Sequence, residues 1–402
     1  MATLDRLECS GCGRTFEVAL RNLCPSCERP LLARYDLNRV HKEDLLPRND
    51  LWRYLPLLPL ESLDRALPLG EGGTPLLRCR ALEASLGIRE VHVKDEGRNP
   101  TGTFKARGMA VAVPMAKALG ATKVAVPSAG NAGSAMAAYA AKAGMEALVV
   151  MPRDTPLEIV RETASFPAHL FFTDGLITDA AEIVKEACPK LGYFLMATLQ
   201  EPYRVEGKKT MGFELWEQMG GFPDWIVVPT GGGTGVVGLW KAFEELRALG
   251  WYEGPPPKIA FVQAEGCAPL VHAFTEGKEE AVPVKNPKTI AAGLRVPGAI
   301  ADRLVLKATR DSGGRGVAVT DDAMIAACAE LARAEGIHAC FEGAATLAAL
   351  KILVADGHVK SDDRVVLFNT GTGLKNARAS VPTKVATVRS YAELRKRLRG
   401  ES

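Results

Sequence analysis

The sequence predicts an α/β protein: two doubly wound sheet domains preceded by a small Cys-rich segment. Three observations carry this. From residue 88 onward, short apolar strands alternate with helical stretches, the pattern of parallel sheets covered by helices on both faces. Four strand-to-helix loops carry Gly-rich or small polar residues, and open sheets of this kind bind ligands at the carboxyl ends of their strands. The first 36 residues hold four of the nine cysteines in two C-x-x-C pairs.

The chain has 402 residues, enough for two domains and a small third. Apolar residues make up 47% and charged residues 24%, the composition of an ordinary globular protein. Fifty basic and 47 acidic residues leave a net charge of +3, which predicts neither nucleic-acid nor membrane binding. No stretch approaches the ~18 consecutive apolar residues of a membrane helix. The start, Met1 to Cys9, lacks the basic and apolar blocks of a signal peptide, so a cytoplasmic protein is expected. Its cysteines should then be reduced, metal-bound or buried.

Residues 1–36 contain Cys9, Cys12, Cys24 and Cys27, with eleven residues between the two pairs. Two such knuckles place four thiolates around one tetrahedral Zn²⁺. A closed four-thiolate site has no open position, so the expected zinc is structural. Residues 37–69 are a Leu- and Pro-rich connecting arm, read as extended backbone with short helices. The catalytic region is expected over 70–380, with a smaller lobe over roughly 109–200 and a larger one from roughly 70–108 and 201–380. A basic tail covers 381–402.

Strands are expected at Val91–Val93, Lys123–Val126, Ala147–Met151, Leu170–Phe172, Tyr193–Leu195, Ile226–Pro229, Ile259–Gln263 and Val365–Phe368. Helices are expected at Met109–Leu119, Ala132–Ala143, Asp179–Ala187, Lys209–Met219, Val236–Leu249, Asp321–Ala334 and Ala344–Ala355. There is no internal repeat and no low-complexity region.

The four loops differ in chemistry. Lys105 lies in Asn99-Pro-Thr-Gly-Thr-Phe-Lys-Ala-Arg-Gly108, at a strand-to-helix turn where backbone N–H groups are unpaired. Pro127-Ser-Ala-Gly-Asn-Ala-Gly133 brings short polar groups, Ser128 and Asn131, to a helix start suited to a carboxylate. Gly231, Gly232, Gly233, Thr234 and Gly235 expose consecutive N–H groups ahead of a helix, a phosphate cradle. No Walker lysine or dinucleotide fingerprint accompanies them. Thr370, in Phe368-Asn-Thr-Gly-Thr-Gly-Leu-Lys375, offers a neutral hydroxyl at the last strand's exit.

These segments, in this order, resemble those of the fold-type II pyridoxal-phosphate (PLP) enzymes: threonine synthases, serine and threonine dehydratases and their relatives. The resemblance covers residues 70–376 and extends to the Cys-rich start, which closes on a Tyr35-Asp36 pair as in many threonine synthases. It implies PLP carried on Lys105 as a Schiff base beside Phe104. It also implies a phosphate held by Gly231 to Gly235, with Asn131 and Thr370 on the ring. The loop holding Ser128, Ala129 and Asn131 would grip the substrate carboxylate. Arg204-x-Glu-Gly-x-Lys-Thr210 is similar to a threonine synthase run, which makes Arg204 with Lys208 or Lys209 the expected cations for a substrate phosphate. Ala339-Cys-Phe-Glu-Gly-Ala-Ala-Thr346 looks like the segment that lines the cofactor pocket.

The implied protein is a homodimeric threonine synthase acting on a small amino-acid substrate, O-phospho-L-homoserine. Three alanines depart from the threonine synthase pattern: Ala106 where Asp is usual, and Ala129 and Ala132 where Thr is usual. The Gly-rich loop looks more like that of dehydratases. A serine/threonine dehydratase, or a β-replacing synthase such as cysteate synthase, is therefore the alternative. A zinc-ribbon binding protein with an inactive PLP-like region is a reading from another class, against which the intact Lys105, Asn131 and Gly-rich loop argue.

Overall fold

A computed structural model describes residues 4–375 and 387–399. Among them the chain opens with an antiparallel sheet of β1 (Leu4–Cys9), β2 (Thr15–Phe16) and β3 (Leu31–Tyr35), in the order β2-β1-β3. The arm follows as three 3₁₀ segments, Leu37–Arg39, Lys42–Asp44 and Leu51–Leu57. Next come β4 (Leu76–Arg78), α1 (Arg80–Leu86) and β5 (Glu90–Asp95). α2 (Lys105–Ala118) then carries the chain to a second sheet.

That sheet has four parallel strands in the order β8-β7-β6-β9. They are β6 (Lys123–Pro127), β7 (Glu146–Pro152), β8 (Ala168–Thr173) and β9 (Phe194–Leu195), connected through α3 (Asn131–Ala143), α4 (Leu157–Ala164) and α5 (Ile177–Leu191). The interiors of β6 and β7, Val124–Val126 and Ala147–Met151, are buried, as crossover helices on both faces require.

α6 (Tyr203–Met219) returns the chain to the larger sheet, where β10 (Trp225–Pro229), α7 (Thr234–Ala248), β11 (Lys258–Ala264), α8 (Pro269–Thr275), α9 (Asp302–Asp311), β12 (Arg315–Val319), α10 (Asp321–Glu335), α11 (Phe341–Ala355) and β13 (Arg364–Asn369) follow. The order is β12-β11-β10-β13-β5-β4, parallel except for β4 against β5. α12 (Tyr391–Leu398) lies in the expected basic tail; residues 376–386 and 400–402 lie outside the described ones.

Several helices begin a little earlier than expected, and α2 and α6 begin furthest ahead. α2 starts at Lys105 instead of Met109, and α6 at Tyr203 instead of Lys209. Glycines inside both made the sequence read as loop. They serve packing: a Cβ on Gly207 would meet the Arg107 carbonyl oxygen at 1.8 Å, so α6 reaches α2 only through glycine. β12, which no expectation covered, pairs in parallel with β11 from Ala260↔Arg315 to Ala264↔Val319.

Charges weld this crossing. Arg107 is fully buried and donates to Glu96 and Glu214; its Nη1–Glu214 Oε1 distance is 2.6 Å. Lys94 reaches the same Glu214 carboxylate at 2.8 Å. Burial works to raise the Glu214 pKa, but Arg107 and Lys94 outweigh it and hold the carboxyl well below its usual range.

Candidate active site

The segments that follow β5, β6 and β10 converge on one cavity of about 240 Å³, and the exit of β13 reaches a slot beside it. Lys105, Ser128, Ala129, Asn131 and Gly232 line it, as do Thr198, Arg295 and Glu342. A narrower slot of about 40 Å³ shares Lys105, Asn131 and Glu342 with that cavity and adds Phe104, Gly231, Cys340 and Thr370. Four loops far apart in sequence thus meet around one lysine.

Lys105 opens α2, with its Nζ 4.6 Å from the Phe104 ring centroid. Its amine is lowered to about 8, by burial first and by the Arg204 charge second, with Glu342 acting in the opposite direction. An amine with a pKa near working pH is a competent nucleophile and base. Lys208 lies over the same ring, its Nζ 3.4 Å from the centroid, and donates to the Phe104 carbonyl. Burial, followed by the charge of Lys105, pushes Lys208 well below the ordinary lysine range.

The Gly-rich loop precedes α7. A Cβ on Gly231 would lie 2.3 Å from the Gly293 carbonyl oxygen. Among the described residues, the N–H groups of Gly231 to Gly235 have no hydrogen-bond acceptor. Consecutive free N–H groups at a helix start form an anion site, and the donor set fits a phosphate. In the second loop, Ser128 Oγ accepts from the N–H groups of Gly130 and Gly133 at 3.2 and 2.9 Å. This holds the turn that opens α3. Asn131 Oδ1 accepts from Lys375 Nζ at 3.1 Å. At the slot's far wall the Thr370 carbonyl accepts from the Phe104 N–H at 3.0 Å, and the Thr370 hydroxyl lies 3.9 Å from Cys340 Sγ.

The model for the family described as pyridoxal-phosphate dependent enzyme matches residues 67–371. The chain belongs to the pyridoxal-phosphate-dependent enzymes. It is 36% identical over 380 residues to threonine synthase of Methanocaldococcus jannaschii, covering 93% of each chain. It is 36% identical over 383 residues to that of Methanosarcina acetivorans, again over 93% of each. Among solved structures, a threonine deaminase superposes with a TM-score of 0.60 at 25% identity, over 74% of this chain and 92% of that one.

The site accommodates the family's cofactor. Gly231 to Gly235 would hold the PLP phosphate, Lys105 would carry its carbonyl carbon, and Asn131 and Thr370 would flank its ring.

The charged run after Gln200 behaves differently from expectation. Neither Arg204 nor Lys208 lines the cavity. Arg204 is buried, and its Nη1 donates to the Met196 carbonyl at 2.8 Å and the Thr198 hydroxyl at 3.4 Å. Thr198, its hydroxyl partner, lines the cavity. Lys209 lies in a buried ion cluster, 2.7 Å from Glu206 and 2.9 Å from Glu245. An isolated α6 would spread these charges around its circumference, and packing on α2 and α7 buries them. Among the described residues, the cation on the wall besides Lys105 is Arg295. No motif marks it in the sequence. Gly293 has no sequence signal either, whereas Glu342 lies in the 339–346 segment expected to line the pocket; its Oε1 accepts from the Gly293 N–H at 2.7 Å.

Four cysteine sulfurs complete the inventory. Those of Cys9, Cys12, Cys24 and Cys27 all lie within 4.8 Å of one another. The N–H groups of Gly11 and Cys12 point at Cys9 Sγ, at 3.3 and 3.4 Å.

Proposed function

We propose that this enzyme converts O-phospho-L-homoserine and water to L-threonine and phosphate. The observation that carries the reading is the likeness to threonine synthases over nearly the whole chain, Cys-rich start included, around a cavity holding a lysine of lowered pKa.

Bound PLP supplies the electron sink for carbanion chemistry. The chain's own residues do the rest. Lys105, with its amine near pKa 8, takes the proton from the substrate's α-carbon and returns protons later in the cycle. Ser128, Ala129 and Asn131 sit at the start of α3, where N–H groups bind the substrate carboxylate. Thr370, on the slot wall, would offer a neutral hydroxyl to the ring nitrogen, where an acidic residue would hold that nitrogen protonated. Arg204, buried behind the wall, contributes positive potential to the site and keeps Lys105 acidic.

Release of inorganic phosphate from O-phospho-L-homoserine, run beside ketoacid release from serine and threonine, tests the reading. Phosphate release with little ketoacid is expected; the reverse supports a dehydratase, the second reading, which the threonine deaminase likeness favours.

The four cysteines are proposed to hold one structural Zn²⁺. The proposed enzyme is a homodimer, as its family resemblance implies, and is proposed to be cytoplasmic. No helix among the described residues is long and apolar enough to cross a membrane.

A further inference from the structure

We infer that Arg295 reads the anionic side chain of the substrate and that Asp154 occupies it until that anion arrives. The inference rests on the phosphorylated-substrate reading above and names the residue that would confer it.

Among the described residues two cations lie on the cavity wall, Lys105 and Arg295, and Lys105 is committed to the chemistry. Arg295 stands between α8 and α9, on the larger sheet's side. Its Nη1 lies 2.7 Å from Oδ2 of Asp154, which follows β7 of the smaller sheet. The pair therefore links the two sheets' sides at the wall that Arg295 lines. The Asp154 side chain is 55% exposed and that of Arg295 20%. A pair so wet is weak and exchanges readily. A phosphate dianion offers the guanidinium fork two parallel hydrogen bonds and a larger charge than one carboxylate. Apolar neighbours on the same wall, Ile159, Ile177 and Val296, strengthen that attraction by excluding water.

The arginine's loop is fixed in advance. Gly293 N–H donates to Glu342, and Thr289 Oγ1 and Ile290 N–H donate to Asp321 at 2.6 and 3.1 Å. A pinned backbone presents its cation at little ordering cost.

The test uses the holoenzyme with three probes: inorganic phosphate by calorimetry, O-phospho-L-homoserine by turnover, and L-threonine by its absorbance change. Arg295→Ala should weaken phosphate binding and raise KM for the phosphorylated substrate roughly 10- to 100-fold, the worth of hydrogen bonds to a charged group. L-Threonine binding should change less than about twofold, because it lacks the second anion. Arg295→Lys should recover part of the loss. Asp154→Asn should tighten phosphate binding several-fold. An Arg295→Ala enzyme with unchanged phosphate Kd and KM overturns the inference, as does equal loss of threonine binding. Should that variant misfold, an unchanged phosphate Kd in Asp154→Asn overturns it. Wild-type enzyme that releases no phosphate from O-phospho-L-homoserine would sink the functional reading, while the inorganic phosphate arm still decides Arg295.

Discussion

Lys375 Nζ donates to Asn131 Oδ1 at 3.1 Å, tying the exit of β13 to the first residue of α3. An ammonium only donates, so the amide oxygen must face it and the Asn131 NH₂ group is turned elsewhere. Lys375 also pairs with Glu162 on α4. One lysine of the larger sheet's side thus orients a residue that lines both the cavity and the slot. Lys375→Met should weaken PLP binding about tenfold, the scale of one charge-assisted hydrogen bond, measured by equilibrium dialysis. Lys375→Arg should restore most of it. Unchanged affinity in Lys375→Met would show that the Asn131 amide is set by other contacts.

Lys105 sets a pH dependence. Its amine, lowered to about 8 by burial and then by Arg204, is neutral above that value. Uptake of PLP by cofactor-free protein should accelerate about tenfold per pH unit below pH 8, as the neutral fraction grows, and level off above it. Arg204→Met removes one lowering charge, so the inflection should move to higher pH. Lys105→Ala should abolish the yellow absorbance of the lysine-bound cofactor and cut turnover by roughly 10²–10⁴-fold, the span of a general acid–base contribution.

Glu214 should be indispensable to the fold. Glu214→Ala leaves Arg107 and Lys94 buried without their shared partner, a loss of about 3–5 kcal/mol readable by urea denaturation. Because the folded-state pKa is depressed, the carboxylate's stabilisation is fully present above its unfolded value of 4.5 and falls away as pH drops below it. Wild-type stability should decline in that acid range more steeply than that of Glu214→Gln. Equal slopes would refute the assignment.

Metal analysis should find one zinc per chain, and Cys12→Ser should reduce it to near zero. The segment is anchored by Asn22, whose Nδ2 donates to the Leu195 and Gln200 carbonyls at 2.8 Å each, and by Arg29, 3.1 Å from Asp302. Its loosening should lower Tm by a few degrees, corresponding to a loss of about 1–2 kcal/mol. Full metal content in the Cys12→Ser protein would exclude a four-cysteine site.

The chemistry at the strand exits was legible because each loop declares itself locally. Glycines that bare their N–H groups, a serine and an asparagine at a helix start, and a lysine beside Phe104 need only short stretches of chain. Helix starts were less legible, because Gly207 reads as a breaker until the approach of α6 to Arg107 is seen. Arg295 was not legible at all. It lies in a stretch without regular elements, and its importance comes from facing Asp154, which is remote in sequence.

The sequence by itself determined the α/β class, the four ligand loops, the cysteine cluster and Lys105, since periodicity and turn chemistry are short-range properties. Only the tertiary structure decided which cations meet the cavity. It buried Arg204, Lys208 and Lys209 among fixed partners and left Arg295 on the cavity wall. Desolvation and ion pairing depend on neighbours brought from far along the chain, and no local pattern encodes them.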